Sequence, residues 1–300
     1  MKNNLYDNSR PFAYISLSWL LILAIVLFPI IYTIYISLTN MNVFHWTDFT
    51  FKGADNYIKA LTNLDEGFIV VLARTLIWTV VNLVLQVGIA LTFALILNIE
   101  GLKYSGLYKT ILMIPWAMPG YISALIWRNG IFDNQYGLFN QILRSLNFEG
   151  VDWLNSDLMA FIACLVVNLW MALPFMILMI YGGLQSIDKS YYEIAEIEGA
   201  KTLSRVTRIT LPLLRPILIP AVTITAFVTF KQFDIIYLMT QQTGSKTGAD
   251  IHVIITYVFE KAFVTNNYGY SSALSVLIFV IIIILTGLNQ RYMRERKELN

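Results

Sequence analysis

The sequence predicts an all-α integral membrane protein built around six transmembrane helices, and three observations lead there. The 300 residues are 57% hydrophobic and only 13% charged, with a mean hydropathy of +0.63; an ordinary soluble domain carries roughly 25% charged residues. Six apolar runs are long enough to cross a hydrocarbon core of about 30 Å, which takes ~20 helical residues. Lysine and arginine are spread unevenly over the segments joining those runs, as orientation in a bilayer requires.

The runs fall at about 12–38, 69–97, 107–127, 158–181, 217–239 and 272–288. The first is too long for a signal-peptide core and no small-residue cleavage site follows it, so it reads as a retained first helix. Pro29, Pro115, Pro119, Pro174 and Pro220 interrupt the runs. Proline is tolerable there where neighbouring helices re-satisfy the freed carbonyls, which predicts kinked helices packed in protein. The connections at about 39–68, 128–157 and 240–271 are too short for independent domains, so residues 1–300 read as one transmembrane domain. No internal repeat is evident, which weakens an inverted-repeat secondary transporter.

Six spans put both termini on one side. With that side cytoplasmic, it holds Lys2, Arg10, Lys103, Lys109, Lys189, Lys201, Arg205, Arg208, Arg215, Arg291, Arg294, Arg296 and Lys297, thirteen of the 21 basic residues. Lys52, Lys59, Arg74, Arg128, Arg144, Lys246 and Lys261 fall outside, Arg74 and Lys109 being near run ends, and only Lys231 remains to be counted within a span. This bias predicts cytoplasmic termini and a cytoplasmic loop at about 188–216. Cys164 is the single cysteine and lies in an apolar run, so neither a disulfide framework nor a Cys/His metal site is expected. His45 and His252 read as solvated loop residues. The net charge of +2 is small, membrane lipid surrounds the spans, and no nucleic-acid surface is implied.

Within the 188–216 loop, Asp188-Lys189-Ser190 precedes Glu193, Ala195, Glu196 and Ala200. A short helix capped near Asp188 or Ser190 follows, with acidic residues in its opening turns. Gly199 permits a sharp exit and a close approach by a partner surface. Laid against the EAA motif of ATP-binding-cassette (ABC) importers, E-A-A-x-x-D-G-A-x5-F-x-x-I-x-L-P-x3-P, the loop matches at Glu193, Ala195, Gly199, Ala200, Ile209, Leu211, Pro212 and Pro216. It departs at Ile194, Glu198 and Val206. The chain thus resembles the membrane permease subunit of a type I ABC importer. The resemblance implies an ATPase-coupling loop that includes Glu193, Ala195, Glu198, Gly199, Ala200, Leu211 and Pro212, with Glu193 and Gly199 as the main contacts. Gly101 through Lys109 has Leu107 where a Walker lysine belongs and follows a membrane helix, so no cofactor is expected in this chain. ATP and Mg would be bound by two partner ATPase subunits. A second homologous permease subunit, an extracytoplasmic sugar-binding protein and placement in a bacterial cell membrane are implied in the same way.

Further stretches resemble the maltose and maltodextrin type of sugar permease: Gly53-Ala54-Asp55-Asn56-Tyr57, Pro115 to Gly120 (PWAMPG), Asp152-Trp153-Leu154, Asn168 to Phe175 (NLWMALPF), Phe230 to Thr240 (FKQFDIIYLMT) and Gly269 to Ile278. The likeness departs after Thr240, where Gln241-Gln242-Thr243-Gly244 replaces the usual Gly-Gly-Pro. In the fifth run Thr225, Thr229 and Gln232 recur at i, i+4 and i+7, one polar face on an apolar helix. Sugar hydroxyls stripped of water require such partners; alternatively these residues bond neighbouring helices. The resemblance places the three at sugar-lining positions, together with Asn168, Met171, Ala172 and Phe175.

Lys231 and Asp234 stand at i, i+3 in the same run and would form a helical ion pair there, with a structural or subunit-contact role. A lysine near the pathway would instead suit an acidic sugar such as a uronate. An ion-coupled transporter would need a chain of buried carboxylates, but Asp234 is the only acidic residue within the runs. An intramembrane hydrolase would need a nucleophile and base at depth, and no histidine lies in any run. The sequence therefore predicts a permease that imports a sugar or oligosaccharide, with an acidic oligosaccharide or another solute class as the alternative.

Overall fold

The computed structural model describes residues 9–63, 67–240 and 251–297; Lys2, Gln241 to Gly244 and Lys246 lie outside them. Every described element is helical, and the one β feature is an isolated bridge between Thr39 and Phe51. Among the described residues, five stretches are long and apolar enough to cross a membrane: Ile15–Ser37, Phe68–Leu97, Asp157–Gln185, Thr202–Thr240 and Tyr268–Gly287. A sixth is a bent pair, Ser105–Ala117 with Gly120–Ile131. Leu20, Ile25, Val84 and Ile114 are each about half or more exposed, a distribution stable only where the solvent is itself apolar.

The chain divides into two compact units. One takes in residues up to Val71 and from Tyr257 onward. Its helices are α1 (Ser9–Ile22) and α2 (Phe28–Ser37), joined by a π-helical turn at Leu23–Leu27, then α3 (Asp55–Thr62) and, from the far end of the chain, α14 (Tyr268–Lys297). The Gly53-Ala54-Asp55-Asn56-Tyr57 stretch ties these together: Asn56 Nδ2 donates to the carbonyls of Ser37 and Thr39, and the Tyr57 and Ser37 hydroxyls pair at 2.6 Å. Gly269 N–H donates to Met41 O, and a Cβ on Gly269 would sit 2.2 Å from Thr39 O. Any side chain there would force the α2 terminus and α14 apart. Gly269→Ala should therefore destabilise the protein by about 1–3 kcal/mol, read as a lowered unfolding midpoint of purified protein in detergent.

The other unit, Leu72–Thr256, holds most of α4 (Phe68–Leu97), then α5 (Ser105–Ala117), α6 (Gly120–Ile126), α7 (Leu138–Ser145), α8 (Asp157–Gln185), α9 (Ser190–Ile197), α10 (Thr202–Arg205), α11 (Leu211–Phe230) and α12 (Asp234–Thr240). The last helix, α13 (Ile254–Phe259), begins within it. Its core is built on α8. Toward the start of α8, Ala160, Ala163, Cys164 and Val167 bury Trp78 of α4 and Ile235, Ile236 and Met239 of α12. Toward its end, Met176, Ile177 and Ile180 pack with Ala90 and Ala94 of α4 and with Leu214 and Ala221 of α11.

Two of the apolar runs are broken rather than kinked. The third bends by 95° between α5 and α6. Pro119 forbids a helical Met118, which is extended at φ −84°, ψ 136°, and Pro119 then opens α6. The fifth ends α11 at Phe230 and restarts at Asp234, leaving Lys231, Gln232 and Phe233 outside a helix. Pro216 and Pro220 lie inside α11 and Pro174 inside α8. A π-helical turn at Val206–Thr210 precedes Pro212, local adjustment that re-houses the freed carbonyls.

Candidate functional site

Two places concentrate polar chemistry in an otherwise apolar chain: the loop after α8 and the level of the helix breaks. In the loop, Asp188 Oδ1 accepts the Ser190 N–H at 2.9 Å and opens α9, the acidic cap that satisfies a helix start. That bond holds the Asp188 carboxyl below its ordinary pKa. The other end is a glycine-terminated cap. Gly199 has φ +75°, its N–H donates to Glu196 O at 3.0 Å, and Ala200 N–H donates to Ala195 O at 2.8 Å. This pair of bonds is the Schellman motif, and it explains the Gly-Ala spacing of the motif physically. Ala195 is buried, Ala200, Leu211 and Pro212 are half-buried, and Glu193, Glu198 and Gly199 are exposed. A Cβ on Gly199 would meet nothing within 4 Å.

The loop is fastened on both sides. Tyr192 OH pairs with Thr210 Oγ1 at 3.0 Å, and Arg205 reaches Glu196 at 3.4 Å. Lys189 Nζ donates to Glu100 in the turn between α4 and α5. That contact holds the Glu100 carboxyl below and the Lys189 ammonium above their ordinary pKa values, first through the hydrogen bond and then through charge attraction. Between that turn and α9 opens a cavity of about 840 Å³. Glu100, Glu193 and Glu196 bring three carboxylates to it, beside Lys189, Tyr181 and Tyr192.

At the level of the breaks, a Cβ added to Gly120 would meet Asp234 Oδ2 and Met171 Cε, each at 3.6 Å. The break of the third run, the break of the fifth and Met171 on α8 therefore converge at one point. Ala172 and Phe175 share the half-buried surface of α8 there. The predicted stripe on the fifth run is split: Thr225 and Thr229 are buried within the chain at 7% and 2% exposure, while Gln232 lies half-buried in the break. The expected helical pair of Lys231 with Asp234 does not form. Lys231 caps the end of α11 at φ −99°, ψ 23° and Asp234 begins α12, so the helical i, i+3 geometry is absent and no ion pair joins them among the described residues. Both are exposed, with Asp234 turned toward Gly120 and Met171.

Asn168 is 5% exposed and donates through Nδ2 to Asn82 Oδ1 at 2.6 Å; its remaining oxygen and N–H stay available to other groups. Asn82, together with Gln86, is a polar residue that reading the motifs passed over. The signal is present in the sequence. Thr75, Thr79, Asn82 and Gln86 recur at i, i+4, i+7 and i+11 in the second run, and all four are buried, a second polar stripe on an apolar helix.

Two spans interrupted at points that meet, and a charged loop folded into a capped helix fastened on both sides, are features that suit a transport subunit coupled to a partner outside the bilayer. Residues 86–297 match the model of the binding-protein-dependent transport system inner membrane component family. The chain belongs to that family and is an ABC importer permease subunit, a transport subunit rather than an enzyme. It is 35% identical to the trehalose/maltose transport system permease protein MalF of Thermococcus litoralis, covering 92% of this chain and 91% of that one. It is 30% identical to the sulfoquinovosyl glycerol transport system permease protein SmoG of Agrobacterium fabrum, over 92% and 88%. A crystal structure of a bacterial alginate ABC transporter, in complex with an alginate pentasaccharide-bound periplasmic protein, shares the fold at a TM-score of 0.76 and 19% identity, covering 98% of both chains.

Proposed function

We propose that this permease carries a sugar or oligosaccharide, delivered by an external binding protein, across the membrane. The observation that carries the reading is the meeting of the two helix breaks with Met171 of α8. Irregular backbone at membrane depth is tolerable only in protein or beside a water-filled path, and the half-buried Gln232 side chain near a Met- and Phe-bearing helix suits a solute with both hydroxyls and apolar faces. Gln232, Met171, Ala172 and Phe175 line this path, and Thr225, Thr229 and Asn168 stand behind it. The names of the two relatives, both concerned with sugars, support the solute class.

The acidic cavity beside α9 and the exposed surface of Glu193, Glu198 and Gly199 take an ATPase subunit. Two such subunits, which bind ATP and Mg, and a second homologous permease complete the importer. The termini and α9 face the cytoplasm, following the lysine and arginine bias. The exposed Lys231 at the break favours one second reading, an acidic oligosaccharide.

The test is reconstitution of the full complex in proteoliposomes with ATP inside and binding protein outside. Maltose, trehalose or an alginate oligosaccharide should accumulate; a binding protein that co-purifies with an amino acid or phosphate ester instead would end the sugar reading. Orientation is tested by single cysteines in a Cys164→Ala background. An impermeant thiol reagent on intact cells should label Ser145→Cys and spare Ser190→Cys, and the reverse pattern would invert the topology.

A further inference from the structure

We infer that Gln86 is a positioning residue that sets the register of α8 in the sugar path, a role that rests on the pathway reading above. Gln86 and Asn82 stand one turn apart on α4 and meet Ala172 and Asn168, one turn apart on α8. Asn168 Nδ2 donates to Asn82 Oδ1 at 2.6 Å, and Gln86 Nε2 donates to Ala172 O at 2.8 Å. Both rungs join residues 86 apart in sequence, so the helices run in the same direction in a fixed register. A slip of α8 by one residue turns it by about 100° and breaks both rungs. Asn82 and Gln86 are 0% and 1% exposed, so water does not replace these bonds.

Packing alone does not account for glutamine at this position. Its Oε1 is buried and makes no hydrogen bond, a desolvation cost that methionine of similar length would avoid. What the amide adds is one directional bond to a backbone carbonyl. That carbonyl lies two residues before Pro174, which has no N–H and leaves the Trp170 carbonyl without its usual helical donor. Here α8 restrains itself least, and this is the turn that carries Met171, Ala172 and Phe175. Buried side-chain bonds between membrane helices contribute little to stability on average; the consequence of this one is where the pathway face points.

The test uses the complete importer in proteoliposomes, at saturating binding protein, with maltose and maltotriose as probes. The quantity read is the ratio of their uptake rates. Gln86→Met keeps the volume and removes the donor; Gln86→Asn keeps the amide but falls one methylene short. Both should assemble with the partner subunits at wild-type levels and shift the ratio about fivefold, the worth of one such bond. A ratio within about twofold of wild type in assembled complexes of both variants overturns the proposal. So does failure of both to assemble, which would make the residue a fold requirement. Ala172→Leu, on the path itself, separates the two readings. If it changes the ratio and the Gln86 variants do not, the path stands and the register role falls; if none of the three changes it, the path reading falls and takes this one with it.

Discussion

Gly199→Trp should abolish ATP-driven uptake while leaving membrane insertion intact and loosening the ATPase from the complex. Two effects combine. At φ +75° an L side chain costs roughly 1–2 kcal/mol, enough to fray the Ala200-to-Ala195 bond that ends α9. The space around Gly199 is open within this chain, so the added ring would also stand out from the exposed end of α9 and hold a docked partner away. Gly199→Ala separates the two effects, since it carries the backbone strain without the bulk and should retain partial uptake. Normal uptake by Gly199→Trp, with the ATPase still bound, would remove α9 from the coupling surface.

Gln232→Leu should lower sugar uptake about 5- to 150-fold at matched assembly, because a buried hydroxyl left without its partner costs about 1–3 kcal/mol. The combined Thr225→Val and Thr229→Val change should cost less: both threonines are buried within the chain, whereas Gln232 sits in the break itself. Lys231→Met distinguishes the solutes. Selective loss of alginate oligosaccharide uptake would favour the acidic reading, and unchanged maltose and trehalose uptake is expected of a neutral-sugar path. Wild-type rates and selectivity for Gln232→Leu and for the threonine pair would leave all three as packing residues.

The apolar runs were legible because burial in lipid demands length and hydropathy, and both are properties of consecutive residues. The cap on α9 was legible for a related reason: its two ends are local bonds, made by Asp188 to a residue two along and by Gly199 and Ala200 to residues three and five back. The splitting of the polar stripe was not. A period of 3.6 drawn through Thr225, Thr229 and Gln232 assumes that the helix continues, and α11 stops at Phe230. The same break removes the Lys231–Asp234 pair. Asn82 and Gln86 recur at legible spacing, yet nothing along the chain says that they meet α8.

Composition and spacing thus decide which segments are long and apolar enough to cross the membrane, which loop carries the EAA-like motif and where its helix begins and ends, since each depends on interactions within a few residues or on a solvent felt by every residue. Tertiary structure alone decides that the breaks at Met118–Pro119 and Lys231–Phe233 lie together beside Met171, that Lys189 reaches Glu100, and that Gln86 holds Ala172. The physical reason is reach: these contacts join groups from about 50 to more than 100 residues apart, and a hydrogen bond acts only at about 3 Å, a distance that only the packing of one helix on another can set.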